Sequence, residues 1–175
     1  INDGPVLEAG DLQPLVIPFT QLSVANGSTD YTPISLNGQS WIYNAGGDEA
    51  QTLTFTATNV PNADLGVILT GDPANGSNGM RVINGGEQFT RIELDQLHFA
   101  ASQDVDELTA EERFGSFQFD VTDDADAASG GAKSLSQNLD IFISVEGLSS
   151  ANANQLGEIA GAEATQDWLD ELNDA

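Results

Sequence analysis

The chain has 175 residues, with 28 Asp and Glu against four Lys and Arg, for a formal net charge of −24. Nucleic acid and anionic lipid are both held through clustered Lys and Arg, so a chain whose only bases are Arg81, Arg91, Arg113 and Lys133 is excluded from both partner classes. The absence of cysteine removes disulfides and thiolate metal sites, and a single histidine, His98, removes any His-rich centre built within one chain.

In chain order, Ile1 stands where an initiator methionine would, which predicts a segment cut from a longer chain with no signal peptide of its own. Asn2-Asp3-Gly4-Pro5-Val6-Leu7 reads as a stiff linker running into a strand, because proline restricts both itself and the residue before it to extended geometry. Leu15 to Phe19 is a short apolar stretch closed by Pro18, and Leu22 to Ser35 is rich in turn residues. Ser40-Trp41-Ile42-Tyr43 reads as a short aromatic strand after the turn signal Leu36-Asn37-Gly38-Gln39. Gln51 to Val60 is the clearest strand of the first half: Leu53, Phe55 and Ala57 alternate with threonines, the period of a half-buried strand. Val67 to Leu69 is another. Met80–Ile83 and Phe89–Leu94 flank Asn84-Gly85-Gly86, which predicts a hairpin. Between Leu97 and Phe99, His98 points the other way, as a surface imidazole. Asp104 to Arg113 is an acidic helical turn or loop. Phe117, Phe119 and Val121, then Leu139, Ile141, Ile143 and Val145, define two alternating strands joined by a long polar loop, an antiparallel hairpin. Short strands at this spacing with little helix predict an all-β, antiparallel β-sandwich occupying residues 1–150. Residues 151–175 read as a polar linker and a short C-terminal helix, with Ala164, Trp168, Leu169 and Leu172 on one stripe. No apolar run is long enough to insert in a membrane.

A charge of this size destabilises a compact state unless salt or bound cations neutralise it. A haloadapted surface would spread the acids evenly, whereas calcium sites would cluster them, and both explanations can hold together. Clustering is visible. Calcium takes six to eight hard oxygens from carboxylates, amides and carbonyls. Asp120, Asp123, Asp124 and Asp126 crowd the end of a strand, where they can converge on one ion or form a solvated acidic loop. Glu8 with Asn2 and Asp3 makes a junction site, and Asp104, Asp106 and Glu107 a third candidate. None matches the EF-hand spacing, and no nonapeptide calcium repeat occurs.

The loop from Gly71 to Gly79, with Asp72, Asn75, Gly76, Ser77 and Asn78, either rims a ligand groove or is a long surface loop. Trp41 and Tyr43 either stack on a sugar or peptide or pack in the core. Ser, His and Asp are present without a nucleophile signature, and with this many acids coincidental carboxylate pairs are expected, so the chain reads as no enzyme.

Asn2-Asp3-Gly4-Pro5-Val6 is similar to the DxNDNAP-type linker of cadherins and of the cadherin-like repeats in giant bacterial adhesins. Leu94-Asp95-Gln96-Leu97-His98-Phe99, followed by Phe114-Gly115-Ser116-Phe117-Gln118-Phe119-Asp120-Val121-Thr122-Asp123, resembles the closing half of such repeats. The resemblance covers the linker and residues 94–147. Gly4 departs from the Asn or Ala of the cadherin pattern, and the DxD and DRE motifs are absent. The middle, 31–93, is longer than a plain repeat needs and resembles the ligand-binding modules of RTX adhesins, including their peptide-binding domains. What the resemblance implies is a calcium-rich cadherin/Ig-like sandwich with an enlarged middle, on the cell surface between tandem neighbouring modules. In the peptide-binding members a partner's C-terminal carboxylate is held on a bound calcium ion. The expected function is calcium-dependent adhesion to a surface peptide or protein C-terminus on another cell, with a glycan-binding module or a calcium-stiffened structural extender as alternatives.

Overall fold

The computed structural model describes residues 3–8, 11–23, 31–39, 41–45, 51–71, 79–128 and 130–144. The expected terminal helix and the boundary at 150 lie outside the described residues, as do Asn2 and the loop residues Asp72, Asn75, Gly76, Ser77 and Asn78.

Strands in sheets dominate the regular structure of the described residues and helix is scarce, so the all-β reading holds. In order, the strands are β1 (Val6–Leu7), β2 (Leu15–Pro18), β3 (Ile34–Ser35), β4 (Tyr43–Asn44), β5 (Leu53–Asn59), β6 (Gly66–Gly71), β7 (Met80–Val82), β8 (Gln88–Phe89), β9 (His98–Ala101), β10 (Phe114–Asp123) and β11 (Ser134–Ser144). The α-helix α1 (Arg91–Asp95) lies between β8 and β9. A five-stranded sheet has the order β2-β11-β10-β5-β8, a four-stranded sheet β3-β9-β6-β7, and β1 pairs with β4. The ladders are antiparallel with one exception: β2 runs parallel to β11, Leu15 opposite Ile141 and Ile17 opposite Ile143. The expectation of a wholly antiparallel arrangement is corrected at that edge.

The β10–β11 hairpin is the longest ladder, running from Phe114 opposite Phe142 to Thr122 opposite Ser134. Its second strand begins at Ser134, earlier than the apolar alternation from Leu139 suggests, because Ser134, Ser136 and Asn138 face solvent, with Leu135 and Gln137 half-buried between them, while all still pair with β10. Alternation sets the faces. Phe117, Phe119 and Val121 of β10, Phe55 and Ala57 of β5, and Leu139, Ile141 and Ile143 of β11 are all fully buried. They join Ile68 and Phe99 of the second sheet, and Leu36, Trp41 and Tyr43, in one apolar cluster. Phe55 stacks on Phe89 at 5.7 Å between ring centroids, and Tyr43 meets Phe55 and Phe119 edge-on at 5.7 and 6.2 Å. Truncating one such buried ring to alanine costs about 3–5 kcal/mol.

Two local expectations are overturned. Residues 80–94 form no hairpin: β7 pairs with β6, β8 pairs with β5, and the two belong to different sheets. Instead of a strand, 91–95 is helix. The Thr90 hydroxyl accepts from the Glu93 N–H while the Glu93 carboxylate accepts from the Thr90 N–H, a capping box that satisfies donors a helix start leaves open. His98 is buried, not exposed, and its Nδ1–H donates to the Gln96 carbonyl at 2.8 Å. Its strand lies between β3 and β6, and His98 and Phe99, which point to opposite faces, are both buried, so β9 is covered on both sides.

Candidate functional site

Strand β10 runs out at Asp123, and the period of two decides what its acids can do. Asp123 shares the inward face with Phe119 and Val121 and is 3% exposed. Its Oδ1 accepts from the Ala125 N–H at 3.2 Å and the Lys133 N–H at 3.0 Å, while its own N–H donates to the Lys133 carbonyl at 3.1 Å. This carboxylate therefore closes the neck of the 124–133 loop. Asp124, exposed, reaches the neighbouring strand, where its Oδ1 accepts from the Thr52 N–H at 2.7 Å. Inside the loop, the Asp126 carbonyl accepts from the Gly131 N–H at 2.8 Å, a turn that uses the left-handed conformation of Gly131 (φ +80°).

The N-terminal segment arrives at this same end. Gly4 has φ +84°, and a Cβ on it would stand 3.1 Å from the Lys133 Cβ, so both the backbone conformation and the close approach call for glycine. Asp3, exposed, is thereby brought to the end of the sheet that holds Asp123, Asp124 and Asp126. Gln51 belongs there too. It lies two residues before Leu53, the partner of Asp123, and its Oε1 is buried without a hydrogen-bond donor. An orphaned amide oxygen is a hard donor of the kind calcium accepts, so the residue types at this end suit that ion.

The other expected ligands stand apart. Asp120 lies on the outward face of β10, three residues and about 10 Å along the strand from Asp123, and accepts from the Ser136 hydroxyl at 2.6 Å. It does not converge with Asp123. Glu8 accepts from the Asn44 amide just beyond the β1–β4 pair. Asp104, Asp106 and Glu107 lie near the opposite end of β10, on a 3₁₀ turn (Val105–Glu107) wrapped over Arg113. Among the described residues, no three His, Cys, Asp or Glu side chains gather as a metal group.

Arg113 is the residue sequence reasoning missed. It is 1% exposed, and its Nε and Nη2 donate to the carbonyls of Val105 at 3.3 Å and Asp106 at 3.0 Å. Burial lowers its pKa, with Asp106 acting in the opposite sense. The Tyr31 hydroxyl is pushed up, by burial first and then by Asp106 and Asp104. A second cation, Arg81, links Glu93 at 2.9 Å and Glu87 at 3.2 Å, and thereby ties β7 to α1.

Among the described residues, no helix is long and apolar enough to cross a membrane. Comparison with protein-family models, characterised proteins and solved structures finds no match for this chain.

Proposed function

We propose that the chain is a calcium-binding adhesion module of a large bacterial surface protein, a β-sandwich of cadherin/Ig-like type. On this reading it holds calcium at the Asp123 end and takes a peptide C-terminal carboxylate through that ion. The observation that carries the reading is the orphaned Gln51 Oε1 beside Thr52, whose N–H donates to the Asp124 carboxylate, at the end of the long sheet that Asp123 fastens. Asp3, Asp124, Asp126 and Gln51 would hold the ion, while Asp123 keeps the loop neck closed beneath them. Bound there, calcium supplies positive charge to a carboxylate-rich end and a coordination position for a ligand's anionic oxygen.

The packing of the N-terminal segment favours a second reading, the structural extender. Gly4 rests on Lys133 just before β11, so a calcium ion held beside it would stiffen the entry of the chain into the sheet.

Calorimetric titration of calcium into chelator-stripped protein, followed by a library of C-terminal peptides, tests both. Calcium uptake with peptide binding that is lost on C-terminal amidation is the expected result. Uptake without peptide binding leaves the extender, and no uptake overturns both in favour of a haloadapted surface.

A further inference from the structure

A cleft of about 340 Å³ opens beside α1, lined by Asn37, Gln39, Trp41, Ile42, Arg91 and Asp95. We propose that it is a binding site for a neutral sugar, separate from the acidic end and needing no metal ion. Its volume lies in the range of small-molecule sites, at the lower end.

Both walls are fixed before any ligand arrives. On one side, the Gln39 N–H donates to the Leu36 carbonyl at 3.0 Å and the Trp41 Nε1–H to the same carbonyl at 3.2 Å. The Gln39 amide is committed to the Gln13 backbone, accepting at 3.2 Å and donating at 2.8 Å, so it shapes the wall and offers no contact of its own. On the other side, the Thr90–Glu93 capping box holds α1, and with it Arg91 and Asp95. Rigid walls lower the entropy lost on binding.

The chemistry left over selects the ligand. The Arg91 Nε stands 3.8 Å from the Asp95 carboxylate, too far for a hydrogen bond, and the Arg91 side chain is 42% exposed. A guanidinium has five N–H donors, so most remain for a ligand. The pair presents donors and acceptors side by side with no net charge, which matches adjacent hydroxyls. The Asn37 side chain adds a further donor and acceptor, and Ile42, 48% exposed, gives an apolar platform for the C–H face of a ring. A carboxylate or phosphate fits poorly: it would meet Asp95 and a molecule of charge −24. A purely apolar ligand would bury the ion pair without compensation. A neutral polyhydroxylated ring incurs neither cost.

The test is an amide-resolved NMR titration of the folded chain, in calcium and again in chelator. The probes are methyl glycosides of glucose, galactose, mannose and N-acetylglucosamine, with sodium acetate as the anionic control. At least one glycoside should give saturable shifts confined to Asn37, Ile42 and 91–95, in both buffers. Arg91→Ala and Asp95→Asn should each weaken that binding about tenfold, the loss of one charge-assisted hydrogen bond. Because an exposed ion pair contributes little to stability, both variants should keep the native spectrum. Absence of saturable shifts with all four glycosides, shifts elsewhere on the surface, or acetate binding in the cleft would each overturn the proposal. Sugar binding in chelator without calcium uptake would sustain the cleft while removing the calcium reading, so the two fail separately.

Discussion

Asp123 and the Lys133 backbone are joined twice, by the carboxylate Oδ1 accepting from the Lys133 N–H at 3.0 Å and by the Asp123 backbone N–H donating to the Lys133 carbonyl at 3.1 Å. The relationship converts the most buried acid of the candidate site into a fastening for the loop that carries the exposed ones. Asp123→Ala should destabilise the fold by about 1–3 kcal/mol, the cost of leaving partly buried N–H groups without an acceptor. Asp123→Asn keeps an acceptor oxygen and should lose less. Denaturant unfolding in chelator measures both, and equal losses in the two variants would show that the negative charge, not the acceptor, is what matters there.

Exposed acids at the same end should behave differently. Asp124→Asn combined with Asp126→Asn should reduce calcium stoichiometry by calorimetry and flatten the rise of the thermal midpoint with added calcium. Asp120→Asn, on the opposite face of β10, should leave both unchanged. Magnesium should stabilise less than calcium, since it demands tighter geometry and gives up its water reluctantly.

Arg113 predicts a purely structural effect at the other end of β10. Arg113→Ala removes a buried side chain and its bonds to two carbonyls, and should cost about 2–4 kcal/mol. Arg113→Lys should recover only part of this, because an ammonium cannot span the Val105 and Asp106 carbonyls as a planar fork does. Chemical denaturation of the two variants against the parent gives the comparison.

The Glu93 carboxyl is held below its ordinary value of 4.5, first by the hydrogen bond from Arg81 and also by the Thr90 N–H. A carboxyl depressed in the folded state stabilises above its unfolded pKa, and that contribution fades as pH falls through the folded value. The Glu93 side-chain resonance should therefore titrate below 4.5, moving upward in Arg81→Gln. The parent should lose stability relative to Arg81→Gln as acid is added below that pH. Coincident acid transitions in the two proteins would show that the pair has no energetic role.

Much of the fold was legible where the pattern is local. Leu53, Phe55 and Ala57, and Phe117, Phe119 and Val121, announce their strands and inward faces because a strand's period depends on nothing beyond itself. The same parity separates Asp120 from Asp123, an inference open to the sequence but masked by reading the acids as a cluster. The Thr90-x-x-Glu93 spacing carried the helix signal at 91–95, overlooked because Asn84-Gly85-Gly86 reads so readily as a hairpin turn.

By itself the sequence determined the all-strand class, the inward stripes and the β10–β11 hairpin. Those follow from side-chain period, which neighbours along the chain are enough to set. Only the tertiary structure decided that β7 and β8 part into different sheets, that β2 lies parallel to β11, and that Arg113 and His98 are buried. It also decided that Gly4 and Gln51 belong to the Asp123 end, and that Arg91 faces Asn37 across a cleft. Each of these depends on which distant segment supplies the partner. A strand's free edge, a guanidinium and an orphaned amide oxygen are satisfied by whatever the fold brings to them, and residues far away in sequence make that choice.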